Sequence, residues 1–192
     1  SQGHYENTLA NAIAWYFRNE ETPFVFRAVN RLDRDTSGLI LLAKNPYSSC
    51  ILSDAVKDHA IHREYAAIVS GKTADSGTID LPIARKDGST IERVCDPERG
   101  DAAVTHYQTI AYNKDADLSF IRLLLETGRT HQIRVHMKAI GHPLLGDFLY
   151  NPDYRFIGRQ ALHSYTVAFR HPITGEAMEF TAPMPEDFSF FY

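Results

Sequence analysis

The sequence predicts an α+β domain, with a mixed but largely antiparallel central sheet and flanking helices. Three observations lead there. Short apolar and β-branched runs follow one another across turn residues, which makes successive strands antiparallel neighbours. Only a few stretches carry helical periodicity. No repeat, low-complexity tract or linker interrupts the chain, so its 192 residues are expected to form one domain of ordinary size.

The elements follow in order. Asn7–Arg18 reads as an amphipathic helix, its broad apolar side supplied by Leu9, Ile13, Trp15, Tyr16 and Phe17. A turn-rich segment, Arg31–Gly38, leads into Leu39–Ala43, an apolar run expected to be a buried strand. Pro46 opens a helix to about Lys57, because proline is acceptable in a first turn. Glu64–Val69 is a strand ended by Gly71, and further strands are expected around Thr78–Ile83, Ala103–Tyr112 and Leu118–Leu125. Asn113-Lys114-Asp115 suits the hairpin connection between the last two. Thr130 is the expected cap of a helix running to about Ile140 and stopped by Gly141, with Pro143 just beyond. Leu162–Phe169 and Ala177–Phe180 close the domain as a hairpin across Pro172-Ile173-Thr174-Gly175.

Composition narrows the function classes. A hydrophobic fraction of 44% and a charged fraction of 23% are those of an ordinary soluble protein. The two cysteines, Cys50 and Cys95, form no CxxC pair, which argues for a reducing compartment and against a disulfide framework or zinc ribbon. No apolar run approaches a membrane span, and Ser1-Gln2-Gly3-His4 lacks the features of a signal peptide. A cytoplasmic monomer is expected. Nine histidines invite a metal hypothesis. Their spacing (His59 and His62, then His131 and His136) completes no recognisable ligand set, so no metal site is expected. The net charge of −4 runs against nucleic-acid binding, which usually shows a basic balance. Phosphate contacts are local, however. Arg27, Arg31, Arg34 and Lys44 gather in one stretch and Arg129, Arg134 and Lys138 in another, and these charges are expected to converge around one cleft.

Both basic stretches contain the chain's most distinctive motifs. These are Arg31-Leu32-Asp33-Arg34-Asp35-Thr36-Ser37-Gly38, then Arg63-Glu64-Tyr65-Ala66, then Thr127-Gly128-Arg129-Thr130-His131-Gln132-Ile133-Arg134-Val135-His136. Gly141-His142-Pro143-Leu144-Leu145-Gly146-Asp147, Leu162-His163-Ser164 and His171-Pro172 follow. The ordered set resembles the RluA-like, large-subunit-type pseudouridine synthases over nearly the whole chain. The resemblance implies the pseudouridine synthase fold, an RNA substrate (ribosomal or transfer RNA), and no cofactor. It also implies that Asp33 is the catalytic aspartate, Tyr65 the active-site tyrosine and Arg134 the arginine paired with the aspartate. The chain departs from the family pattern at Asn30, where histidine is common. Its start also lies just after the point where the family carries strands with a Lys-Pro-x-Gly segment, so a truncated domain is expected. The small RNA-binding domain that precedes many members is absent from these residues.

These residue types suit the implied reaction. Isomerising uridine breaks the C1′–N1 bond, turns the uracil and rejoins it through C5; no atoms are gained or lost. A carboxylate can attack or stabilise C1′ as the base departs, or remove the C2′ proton to form a glycal. Both routes stay open. A guanidinium such as that of Arg134 would orient Asp33 through a charge-assisted bond. Tyr65 offers a platform on which an extruded uracil can stack, and stacking ranks above proton transfer because a free phenol titrates near 10. Arg31, Arg129, His131 and Gln132 are expected to contact the substrate, the last three where free amides open a helix, with Leu162 packing beneath. Taken singly, Asp33 is also a good turn residue, a reading the ordered set outweighs; Tyr65 is also a core aromatic, which is compatible with stacking, and Arg129 reads nearly as well as a solvated charge. Asp35 keeps the turn reading, and as the only nearby acid it is the residue a glycoside or nucleoside hydrolase would need. A non-catalytic RNA-binding module is the remaining alternative.

Overall fold

The computed structural model describes residues 6–19 and 24–191. Its spine is β2 (His62–Ser70), flanked by β7 (Leu118–Leu125) and β8 (Leu162–Arg170), both antiparallel to it. Outward from β7 lie β6 (Val104–Asn113) and β3 (Ser76–Asp80). On the far flank of β8, β1 (Ser37–Gly38) pairs in parallel and β9 (Ala177–Thr181) antiparallel. The seven-stranded sheet is therefore mixed yet largely antiparallel, as the runs and turns predict. A separate two-stranded ribbon joins β4 (Ile83–Arg85) to β5 (Arg93–Cys95).

The central position of β2 follows from its sequence. Tyr65 through Val69 are all buried, so both faces of the strand must meet a core. Alternation divides them. Tyr65, Ala67 and Val69 pack with Ile121, Leu123 and Leu162 against Ile133 and Met137 of α3 (Gln132–Ala139). Ala66 and Ile68 pack on the other face with Phe120, Phe188 and Phe191, the last two from the 3-10 segment Glu186–Phe191. Helix α2 (Pro46–Lys57) has Pro46 in its first turn and Asn45 as its cap, and buries Leu52 in a third cluster. The Asn113 side chain accepts from the amides of Asp115 and Ala116, which turns β6 back into β7.

Three local expectations need correction. Leu39–Ala43 is not a strand: it meets residues 27–30 in a single bridge, Ala28 to Leu42, and the Asn30 side chain takes the Leu41 amide at 2.7 Å. Asn30 thus substitutes for a partner strand's carbonyl and ends the ladder after one rung, a structural task for a residue that departs from the family pattern. Helix α1 spans only Leu9–Tyr16, held by a Thr8–Asn11 capping box, and none of its residues is buried. Thr130 does not cap α3. The cap is His131, in the left-handed region at φ 58, with no side-chain capping bond.

Gly38 stitches the Arg31–Gly38 loop to the sheet. Its φ is +103, and a Cβ there would stand 2.1 Å from the Ser164 carbonyl oxygen. Only glycine permits that approach.

Candidate active site

The loop that β1 anchors reaches over a cleft of about 740 Å³, within the range of small-molecule sites. Asp33 lies in its wall, with its side chain 22% exposed. A turn closes from the Thr36 amide to the Asp33 carbonyl at 3.1 Å, and Asp35 takes φ +69, a conformation aspartate tolerates. The segment before β8 clamps this turn from below. Gln160 Nε2 donates to the Arg34 carbonyl and the Thr36 hydroxyl, and Arg159 donates to the Asp35 carbonyl. The Asp35 carboxylate meets exposed Arg34, and Asp35 does not line the cleft. No second acid for a hydrolase comes from it.

Arg134, 1% exposed on α3, reaches Asp33 Oδ2 with Nη1 at 3.1 Å. Its remaining nitrogens grip Asp147, Nε to Oδ2 at 2.6 Å and Nη2 to Oδ1 at 2.7 Å. Asp147 is fully buried and also accepts from the amides of Leu149 and Tyr150. The guanidinium is therefore a fixed strut. A bidentate, charge-assisted pair holds it, and its third corner is left to orient Asp33. Sequence reasoning missed Asp147 as a functional residue. The signal was present, since the residue closes the Gly141–Asp147 motif, but nothing in the motif shows what it faces.

Tyr150 is the second omission. It is 6% exposed, and its hydroxyl accepts from the Arg93 amide at 2.8 Å and lies 2.9 Å from His131 Nδ1. The His131 Nε2 faces Asp33 Oδ2 at 3.9 Å. Burial, opposed in part by the Asp33 charge, holds His131 below the usual imidazole value. Burial likewise pushes the Tyr150 phenol up to about 12.

Tyr65 and Leu162, both about 5% exposed, form the apolar side of the cleft. Burial pushes the Tyr65 phenol above its usual value, only partly offset by the Arg63 charge. Arg31 stands exposed at the rim. Arg129 lines the cleft while its Nε donates to the Ala102 carbonyl at 3.0 Å. Gln132 is a correction. Its Oε1 accepts from the Thr127 hydroxyl and the Arg129 amide, and its Nε2 donates to Val104 O and Thr105 Oγ1. All its bonding capacity is used inside the protein, so it braces the loop and offers a ligand nothing. The expected convergence of charge holds in part. Arg31, Arg129 and Arg134 line the cleft, joined by Arg63 and Lys57. Lys44 lies over the Phe17 ring and Lys138 over the Tyr150 ring, while Arg34 turns to Asp35.

His136, fully buried, donates from Nε2 to the Leu81 carbonyl and accepts at Nδ1 from Thr105, so it is held neutral. Burial depresses both His131 and His136 from the usual value of 6.5. Below that value the unfolded chain binds protons that the folded one refuses, so stability falls as pH drops. Urea titrations should place the unfolding midpoint lower at pH 5.5 than at pH 7.5. An equal or higher midpoint at pH 5.5 would contradict the neutral assignment.

Comparison with known proteins decides the family. A family model described as RNA pseudouridylate synthase matches residues 1–139. The chain belongs to the RNA pseudouridylate synthase family. It is 47% identical over 190 residues to the uncharacterized RNA pseudouridine synthase YjbO of Bacillus subtilis, covering 98% of this chain and 66% of that protein. It is 40% identical over 207 residues to ribosomal large subunit pseudouridine synthase D of Zymomonas mobilis, covering 99% of this chain and 64% of that one. The chain thus spans less than two thirds of these relatives' own length. Among solved structures, human RNA pseudouridylate synthase domain containing 1 superposes with a TM-score of 0.72 at 26% identity, covering 83% of this chain and 69% of that one. The α+β fold is the fold of this family. The match to the family model ends before Asp147, so the Arg134–Asp147 pair ties the matched region to the segment beyond it.

Proposed function

We propose that this chain is a single pseudouridine synthase catalytic domain that isomerises uridine to pseudouridine in structured RNA, with Asp33 as the reacting carboxylate. The observation that carries the reading is the 3.1 Å contact between Asp33 and Arg134 at a cleft also lined by Tyr65, in a chain of this family. In the proposed reaction the C1′–N1 bond breaks while Asp33 attacks C1′ or takes the C2′ proton. The uracil turns on the Tyr65 ring, and the C1′–C5 bond forms as the Asp33–C1′ ester bond breaks or, on the glycal route, as the proton held by Asp33 returns to C2′; C5 then loses its proton while N1 gains one. Redox and metal chemistry have no part in that balance. Arg134 orients Asp33, and His131 turns Nε2 toward the same carboxylate. Arg31, Arg129 and Lys57 supply positive charge for the RNA backbone. The relatives named for the large ribosomal subunit favour ribosomal RNA over transfer RNA as the substrate, and a cytoplasmic monomer fits such a role. No helix among the described residues is long and apolar enough to cross a membrane.

Product analysis tests the reading. The full-length protein incubated with ribosomal and transfer RNA should convert particular uridines to pseudouridine. Unchanged uridine would leave only a binding module, and free uracil would mean a hydrolase.

A further inference from the structure

Two arginines are more than nine-tenths buried, Arg134 at 1% exposure and Arg63 at 8%. Arg134 has two carboxylates. Among the described residues Arg63 has no ion pair and no side-chain hydrogen bond, and its Nε is buried without a partner. Two less deeply buried guanidinium groups do have acids, Arg122 with Glu64 at 3.0 Å and Arg159 with Asp187 at 2.7 Å. A buried charge without a counter-charge is costly. A fold keeps one where a ligand completes it.

Arg63 sits where a ligand would meet it. It stands two residues before Tyr65 on β2 and lines the same cleft. Its guanidinium lies against Gly128 of the loop between β7 and α3. A Cβ at position 128 would come within 3.2 Å of Nη1 and 3.5 Å of Nη2. A side chain there would press on the fork, whereas glycine leaves it room.

We propose that Arg63 is a built anion site that receives a backbone phosphate of the bound RNA beside the target uridine. The assignment rests on the RNA reading given above and deepens it. A neutral uracil and ribose hydroxyls cannot compensate a full charge. A phosphodiester can, and its two free oxygens fit the planar fork of a guanidinium. Tyr65 would hold the base while Arg63 holds the strand next to it, which fixes the extruded nucleotide at two points.

The test uses the full-length protein, its R63Q and R63K variants, and single-stranded oligouridylate as the probe. R63Q should bind about tenfold more weakly, and its log–log salt slope should be shallower by roughly 0.7, the loss of one phosphate contact on a single strand. The rise in KM should exceed any fall in kcat, since the phosphate contact is made in the ground state as well as in the transition state. R63K, which keeps the charge without the fork, should keep the parent's slope with an intermediate affinity. For the parent protein, inorganic phosphate should shift the Arg63 Nε–H resonance and uridine should not, a readout that stands even where R63Q fails to fold. An unchanged slope in a folded R63Q overturns the assignment. So does a resonance that responds to uridine alone, or a fall in turnover at unchanged affinity, which would place the charge on the uracil instead. Pseudouridine formation by the parent, measured alongside, separates the two failures. Its absence removes the enzymatic reading, while its presence with an unaltered R63Q slope removes only the Arg63 site.

Discussion

Asp33→Asn in the full-length protein is expected to lower pseudouridine formation by at least about three orders of magnitude, the scale on which removal of a reacting group acts. The amide keeps the size and shape of the side chain but can neither attack C1′ nor accept the C2′ proton. No neighbour can stand in. Asp35 turns out of the cleft toward Arg34, and Asp147 is buried behind Arg134 with both its oxygens engaged. Stability should change little, because the Asp33 side chain is partly exposed and Arg134 keeps both its bonds to Asp147. RNA affinity should also stay near the parent's, since the backbone contacts lie on other residues. The combination to look for is lost turnover with an unchanged melting temperature and unchanged binding. Turnover within tenfold of the parent would remove Asp33 from the mechanism.

Asp147→Asn should give the largest loss of stability. The pair it forms with Arg134 is buried on both sides, with side-chain exposures of 0% and 2%. Removing the Asp147 charge leaves buried Arg134 with only the partly exposed Asp33 as a counter-charge, at a cost of up to about 3–5 kcal/mol. In a domain of this size that corresponds to a drop in melting temperature of roughly 6–20 °C. Turnover should fall as well, because a guanidinium released from Asp147 no longer fixes the position of Asp33. Chemical denaturation of the parent and variant measures the first effect, and turnover well below the variant's melting range measures the second. A loss under about 1 kcal/mol would mean that the surroundings, not Asp147, hold Arg134 in place.

The sequence by itself determined the elements whose signals are local. Pro46 and Asn45 start α2 because an imide suits a first turn and an amide side chain caps it. Glu64–Val69 was legible as a strand, though not that both its faces are buried, and the Asn113 turn marked the hairpin that joins β6 to β7. Asp33, Tyr65 and Arg134 were legible as a set because they stand in ordered motifs, and the structure brings all of them to one cleft. The α3 cap was misjudged because the threonine preference describes an ordinary cap. Here His131 adopts a left-handed backbone and its ring is engaged by Tyr150, a residue 19 positions away. Leu39–Ala43 was misjudged because apolarity reports burial, not pairing, and pairing there ends at the Asn30 side chain. Only the tertiary structure could show that Gln132 spends its amide internally, that Asp147 anchors Arg134, or that Arg63 is buried without an acid. Each is a statement about which distant groups meet, and that is fixed by packing. Arg63 and Arg134 are the same residue type within motifs of similar appearance, yet one is matched by two carboxylates and the other by none.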